Sequence, residues 1–80
     1  MAKTAEWMER NRAFNERFSE FYGKRLSEAG ISPIRAAGDA GVSVATAYGY
    51  RAGKTPALHE SLRLLRATGI ETLNLAELLD

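Results

Sequence analysis

Between residues 4 and 29, apolar side chains return every three or four positions: Trp7, Phe14, Phe18, Phe21, Tyr22, Leu26 and Ala29. That spacing puts them on one stripe of a 3.6-residue turn and predicts an amphipathic α-helix. The segment holds no proline and one internal glycine, Gly23, while Gly30 behind it supplies a left-handed cap. The pattern permits one helix, or two with a bend near Asn11 or Asn15. The plain use of the aromatic stripe is to fill a core. Trp7 lies at its outer end, where it can pack on a partner chain.

Beyond residue 30, glycine and proline cut the chain into short pieces. Ser32-Pro33 predicts a helix start, because the serine oxygen caps free N–H groups and proline's missing N–H costs nothing in the first turn. That helix stops at Gly41, and Gly41-Val42-Ser43 reads as a tight turn. Ser43 caps a third helix running to about Ala52 and closed by Gly53. Thr55-Pro56 repeats the cap-and-proline signal and opens a fourth helix, with Leu58, Leu62 and Leu65 on one face and Gly69 at its end. Asn74 and Glu77 have the spacing of a capping box and open a last short helix carrying Leu75, Leu78 and Leu79. Val42-Ser43-Val44 is too short for a strand. The fold class expected is all-α, with five helices.

Residues 30–56 thus form a short helix, a glycine turn and a second short helix. Two closely crossed helices need small side chains where they meet, and Ala36, Ala37, Ala40 and Ala47 supply them. Val42 can plug the corner. Tyr50 can fill the remaining space with Phe18, Tyr22 and Leu62.

In this stretch the chain resembles the Cro/phage-repressor, or Xre-like, helix-turn-helix family. The resemblance is carried by Gly30-Ile31-Ser32, Ala37, Gly41-Val42-Ser43, Thr46, Gly53-Lys54 and Pro56, then by the leucine-rich helix and Gly69-Ile70; it covers residues 16–79. It implies a lambda-repressor-like, five-helix DNA-binding domain over residues 16–80, preceded by a helical extension over residues 1–15. Its third helix would lie in the major groove. The recognition residues carried over are Ser43, Val44, Ala45, Thr46, Tyr48 and Gly49; Arg35, Arg51, Lys54 and Thr55 would meet the DNA backbone. Ser43 would offer hydroxyl and N–H groups to a phosphate. Val44, Ala45 and the Thr46 methyl would read thymine methyls, and Tyr48 would stack on sugar or bond a base edge.

The chain also departs from the family pattern. Relatives carry Gln, Arg, Asn or Lys where this sequence has Val44, Ala45, Tyr48 and Gly49, so no bidentate base pairing comes from these four. Pro33 replaces a polar residue. Gly49 costs its helix up to ~1 kcal/mol against alanine, which fits a close approach by DNA backbone or a second helix. Arg51 then stands as the main polar reader, although the family pattern usually buries or salt-bridges that position.

Charge and composition narrow the function. Eighty residues make one domain, and a chain of that size buries only ~60% of its unfolded surface, so dimerisation would help it. Residues 30–69 carry Arg35, Arg51, Lys54, Arg63 and Arg66 against Asp39 and Glu60, while residues 70–80 carry only Glu71, Glu77 and Asp80. This suggests a middle that faces an anion, although solvated helix faces would look similar. There is no cysteine, no run of ~20 apolar residues, and no apolar stretch near the start that would make a signal peptide. A cytoplasmic setting, nucleoid-associated if bacterial or phage, is expected, with no membrane partner.

His59 has no second histidine or cysteine with which to share a metal. Ser27, Ser32, Ser43 and Ser61 read as caps or surface residues. Glu16, Glu20 and Lys24 are spaced as helix-face charges, and no phosphate-binding loop is present. No cofactor and no enzymatic activity are expected.

The function expected is a sequence-specific transcriptional regulator, a dimeric repressor of phage or mobile-element type on half-sites about one helical turn apart. The alternative is a protein-interaction module, a phage-type inhibitor or antitoxin, that reuses the fold; the apolar third helix speaks for it. The partners are then double-stranded DNA, a second copy, or another protein. Candidate dimer residues are Trp7, Met8 and Phe14 on the first helix, which we favour, and Leu78 and Leu79 at the other end.

Overall fold

The first helix, α1 (Ala2–Ala29), runs without a break through Asn11, Asn15 and Gly23. At 1.5 Å per residue it spans about 42 Å, and the longest dimension of the molecule is 41 Å. The structure, a computed structural model, describes residues 2–79. Behind α1 come α2 (Pro33–Ala40), α3 (Val44–Arg51), α4 (Leu58–Ala67) and α5 (Leu75–Leu78). No strand occurs among the described residues, so the chain is all-α. No helix among them is long and apolar enough to cross a membrane.

The short helices begin and end on local chemistry. Ser32 Oγ accepts the Arg35 N–H at 3.2 Å, with Pro33 in the first turn. Gly41 at φ 72° turns the chain out of α2, and the Val42 N–H reaches back to the Ala37 carbonyl at 3.1 Å. Ser43 then caps α3 by accepting the Thr46 N–H at 3.0 Å. The last helix opens on Asn74, whose side chain accepts the Ala76 N–H at 3.0 Å.

The fourth helix departs from expectation in two ways. It starts after Ala57, which has no side-chain cap, and not at Thr55. The Tyr50 hydroxyl takes over: it accepts the Ala57 N–H at 3.0 Å and donates to Glu60 Oε1 at 3.1 Å. The helix also buries a different face. Ser61, Leu64, Leu65 and Thr68 point inward, whereas Leu58 and Leu62 are 75% and 42% exposed. Two hydroxyls are tolerated on the buried stripe because the helix satisfies them itself. Ser61 Oγ donates to the Leu58 carbonyl at 2.9 Å, and Thr68 Oγ1 to the Leu65 carbonyl at 2.6 Å.

The core joins Phe18, Tyr22 and Leu26 of α1 to Ala36, Ala37 and Ala40 of α2, Ala47 and Tyr50 of α3, Leu64 and Leu65 of α4, and Leu78 of α5. Tyr50 stands edge-on to Phe18, ring centroids 5.8 Å apart. Leu78 is therefore a core residue: α5 folds back on α1, and its neighbour Leu79 stays half-exposed. Phe14 is half-buried, its ring 6.3 Å from that of Phe18. Trp7 and Met8 are 65% and 54% exposed, on the part of α1 that overhangs the body.

Candidate nucleic-acid interface

The α2–α3 unit is shaped by its alanines. Ala36, Ala37 and Ala47 are fully buried, so the two helices close backbone to backbone. Ala47 and Tyr50 take the inward side of α3. At about 100° per residue, Val44, Ala45, Tyr48 and Ala52 share the other side, and all four are exposed. This outward face is the candidate interface, and three of the expected recognition residues, Val44, Ala45 and Tyr48, stand on it together.

The other expected site residues are placed differently. Ser43 turns its hydroxyl into its own helix, accepting the Thr46 N–H and donating to Thr46 Oγ1 at 2.8 Å, so the Ser43 proton is committed while the Thr46 hydroxyl keeps its own proton to donate. Gly49 faces neither a second helix nor open space. A Cβ there would lie 3.2 Å from Cδ of Lys54, whose stem crosses the helix at that point. The missing side chain thus lets Lys54 lie across the end of α3. Thr55 Oγ1 is occupied as the acceptor of Asn15 Nδ2 at 2.8 Å. Arg35 is exposed beside α2 and pairs with Asp39 at 3.4 Å, a surface contact worth well under ~1 kcal/mol that a phosphate could displace.

Arg51, expected as a polar reader or backbone contact, turns its guanidinium onto α1. Nη1 donates to the Ser19 carbonyl at 2.8 Å and to Ser19 Oγ at 3.2 Å, while Ser19 Oγ donates back to the Arg51 carbonyl at 2.6 Å. The group fits because Gly23 has no side chain: a Cβ there would come within 2.6 Å of Arg51 Cζ. The positive charge also lies near Tyr22. Burial pushes the Tyr22 hydroxyl above its ordinary pKa of 10.0, and Arg51 partly offsets this. Burial likewise raises Tyr50.

Asn15, Ser19 and Gly23 act together, which the sequence pattern alone does not announce. They recur every fourth residue and form a second row on α1, beside the aromatic row Phe14, Phe18, Tyr22 and Leu26. The aromatic row fills the core. The small and polar row grips α3 and the segment behind it. The signal was present in the spacing but needed a partner element to give it meaning.

Elsewhere, His59 accepts the Arg63 Nε–H at 2.8 Å on the outside of α4, remote from this face in sequence and use. Comparison with protein-family models, with curated proteins and with solved structures finds no match.

Proposed function

We propose that the chain is a small DNA-binding regulator of the helix-turn-helix kind, acting as a repressor by occupying its site. The reading is of a binding protein, not an enzyme. The observation that carries it is the α2–turn–α3 unit: two eight-residue helices locked through alanine, the second presenting Val44, Ala45 and Tyr48 outward. A single α-helix fits the major groove. Val44 and Ala45 would contact thymine methyls, and the Tyr48 hydroxyl would bond a base edge or phosphate. Lys54 and Arg35 would hold the backbone. With Arg51 committed to α1, no guanidinium or amide remains on the outward face. Specificity would then rest on thymine methyls and on the shape of the duplex.

The test is selection from a random duplex library, followed by fluorescence anisotropy on the enriched sequence at two salt concentrations. Enrichment of thymine-containing half-sites is expected. With only Lys54 and Arg35 as phosphate partners, log K should fall with log salt at a slope of about −2 per copy. Tyr48→Ala should lose the enriched sequence while leaving thermal stability in place. No enrichment, and no binding to any duplex at low salt, would sink the proposal.

One observation favours a second reading. The same apolar face, free of guanidinium and amide groups, also suits a protein partner. A complex insensitive to salt, broken by Tyr48→Ala, would point there.

A further inference from the structure

On α1, Trp7 and Phe14 are seven residues apart, two helical turns, and so point the same way. Phe14 is anchored on the body, but Trp7 projects past it and is 65% exposed. Beside Phe14 the body leaves a groove of about 360 Å³, with a floor of Ala13, Phe14, Leu78 and Leu79 and a rim of Glu9, Arg10 and Arg17. The groove is apolar at its base and roomy enough for a flat indole. A chain cannot fill its own groove, because the rigid helix carries Trp7 about 10 Å along the axis from it.

We infer that the occupant is Trp7 of a second copy of this chain. The two α1 helices would pair antiparallel about a two-fold axis near residue 10. Such an isologous contact uses both ridges and both grooves at once. Antiparallel order brings Glu6, which precedes Trp7, toward Arg17 on the rim of the facing groove, and it does so twice. Parallel order would set Glu6 against Glu6. Arg10, close to the axis, is held by Glu6 of its own helix at 3.4 Å, which relieves its repulsion from the facing Arg10. The buried indole supplies the anchor. This inference stands apart from the DNA reading, since it uses none of the residues on the outward face of α3.

Trp7 is the sole tryptophan, so its fluorescence reports the contact directly. The full chain should show a blue shift of emission as concentration rises, in step with a change from monomer to dimer mass in sedimentation. Trp7→Ala should keep its helical circular dichroism and weaken dimerisation by about tenfold or more. Glu6→Arg and Arg17→Glu should each weaken it, and the two together should restore much of the loss. Leu79→Glu, in the floor of the groove, should weaken it while leaving Trp7 in place. A chain that stays monomeric at the highest soluble concentration would overturn the inference. So would a dimer whose tryptophan emission does not move, or one that Trp7→Ala leaves intact.

Discussion

The two halves of α1 are one helix with one apolar period, yet they live in different surroundings. From Asn15 onward, Phe18, Ser19, Tyr22 and Leu26 are all buried. Before it, only Asn11 and Phe14 are even half-covered among residues 5–14, and Trp7 and Met8 stand in solvent. The rear half packs on α3 and α5 and carries a row of small and polar residues that receives Arg51 and Thr55. The front half carries an aromatic and a charge pattern that its own chain leaves largely uncovered, with Trp7 and Met8 in solvent. An identical helical period can thus be buried in one place and left exposed in another, depending on what the rest of the chain brings against it.

The comparison can be broken or sharpened along α1 itself. The largest expected effect is Leu26→Ala, a loss of about 3 kcal/mol in urea unfolding followed by circular dichroism, because it empties a packed site. Next is Tyr22→Phe. The Tyr22 hydroxyl is buried and finds no hydrogen-bond partner among the described residues, so its removal should stabilise the fold by about 1 kcal/mol.

The same variant should reduce an alkaline weakness. Tyr22 and Tyr50 both hold their protons above the ordinary value of 10.0 when folded. The unfolded chain loses them near that value, and above it the unfolded state binds fewer protons than the folded one. Stability from this source is therefore full below pH 10 and falls as pH rises through and past it. A pH series of urea melts that stayed flat above pH 10 would refute this.

Gly23→Ala comes third. Alanine favours an ordinary helix interior by about 1 kcal/mol. Here it must dislodge the Arg51 guanidinium from Ser19, so a net loss of up to about 1 kcal/mol is expected. In an Arg51→Ala background the sign should reverse to a gain, which a double-mutant cycle would read directly. The smallest effect is Met8→Ala, within about 0.5 kcal/mol in dilute solution, where the front half is uncovered. A loss comparable to that of Leu26→Ala would show that the front half packs on its own chain after all.

Much of this architecture was legible before any coordinates. The boundaries of α2 and α3 rest on Ser32, Pro33, Gly41, Ser43 and Gly53, whose effects act over one turn of chain. The alanines between these helices were also readable, because close helix contact has few solutions. The inward face of α4 was not, since Ser61 and Thr68 look like surface residues until the helix carbonyls that accept their protons are considered. Nor was the choice between Leu78 and Leu79, adjacent leucines in a four-residue helix too short to show a period. In the candidate site, Val44, Ala45 and Tyr48 came from the family resemblance, whereas the partner that Arg51 takes on α1 did not.

The sequence by itself determined the five helices, most of their ends and the apolar stripe of α1, because caps, glycine turns and helical periodicity are settled by neighbours within a few residues. Only the tertiary structure decided where Arg51 points, what covers Gly23 and Gly49, and which leucines of α4 and α5 are inside. Each of those depends on a side chain meeting a group from a distant turn. A flexible arginine at the end of α3 has several chemically reasonable partners, and the crossing of α3 over Ser19 and Gly23 selects one of them.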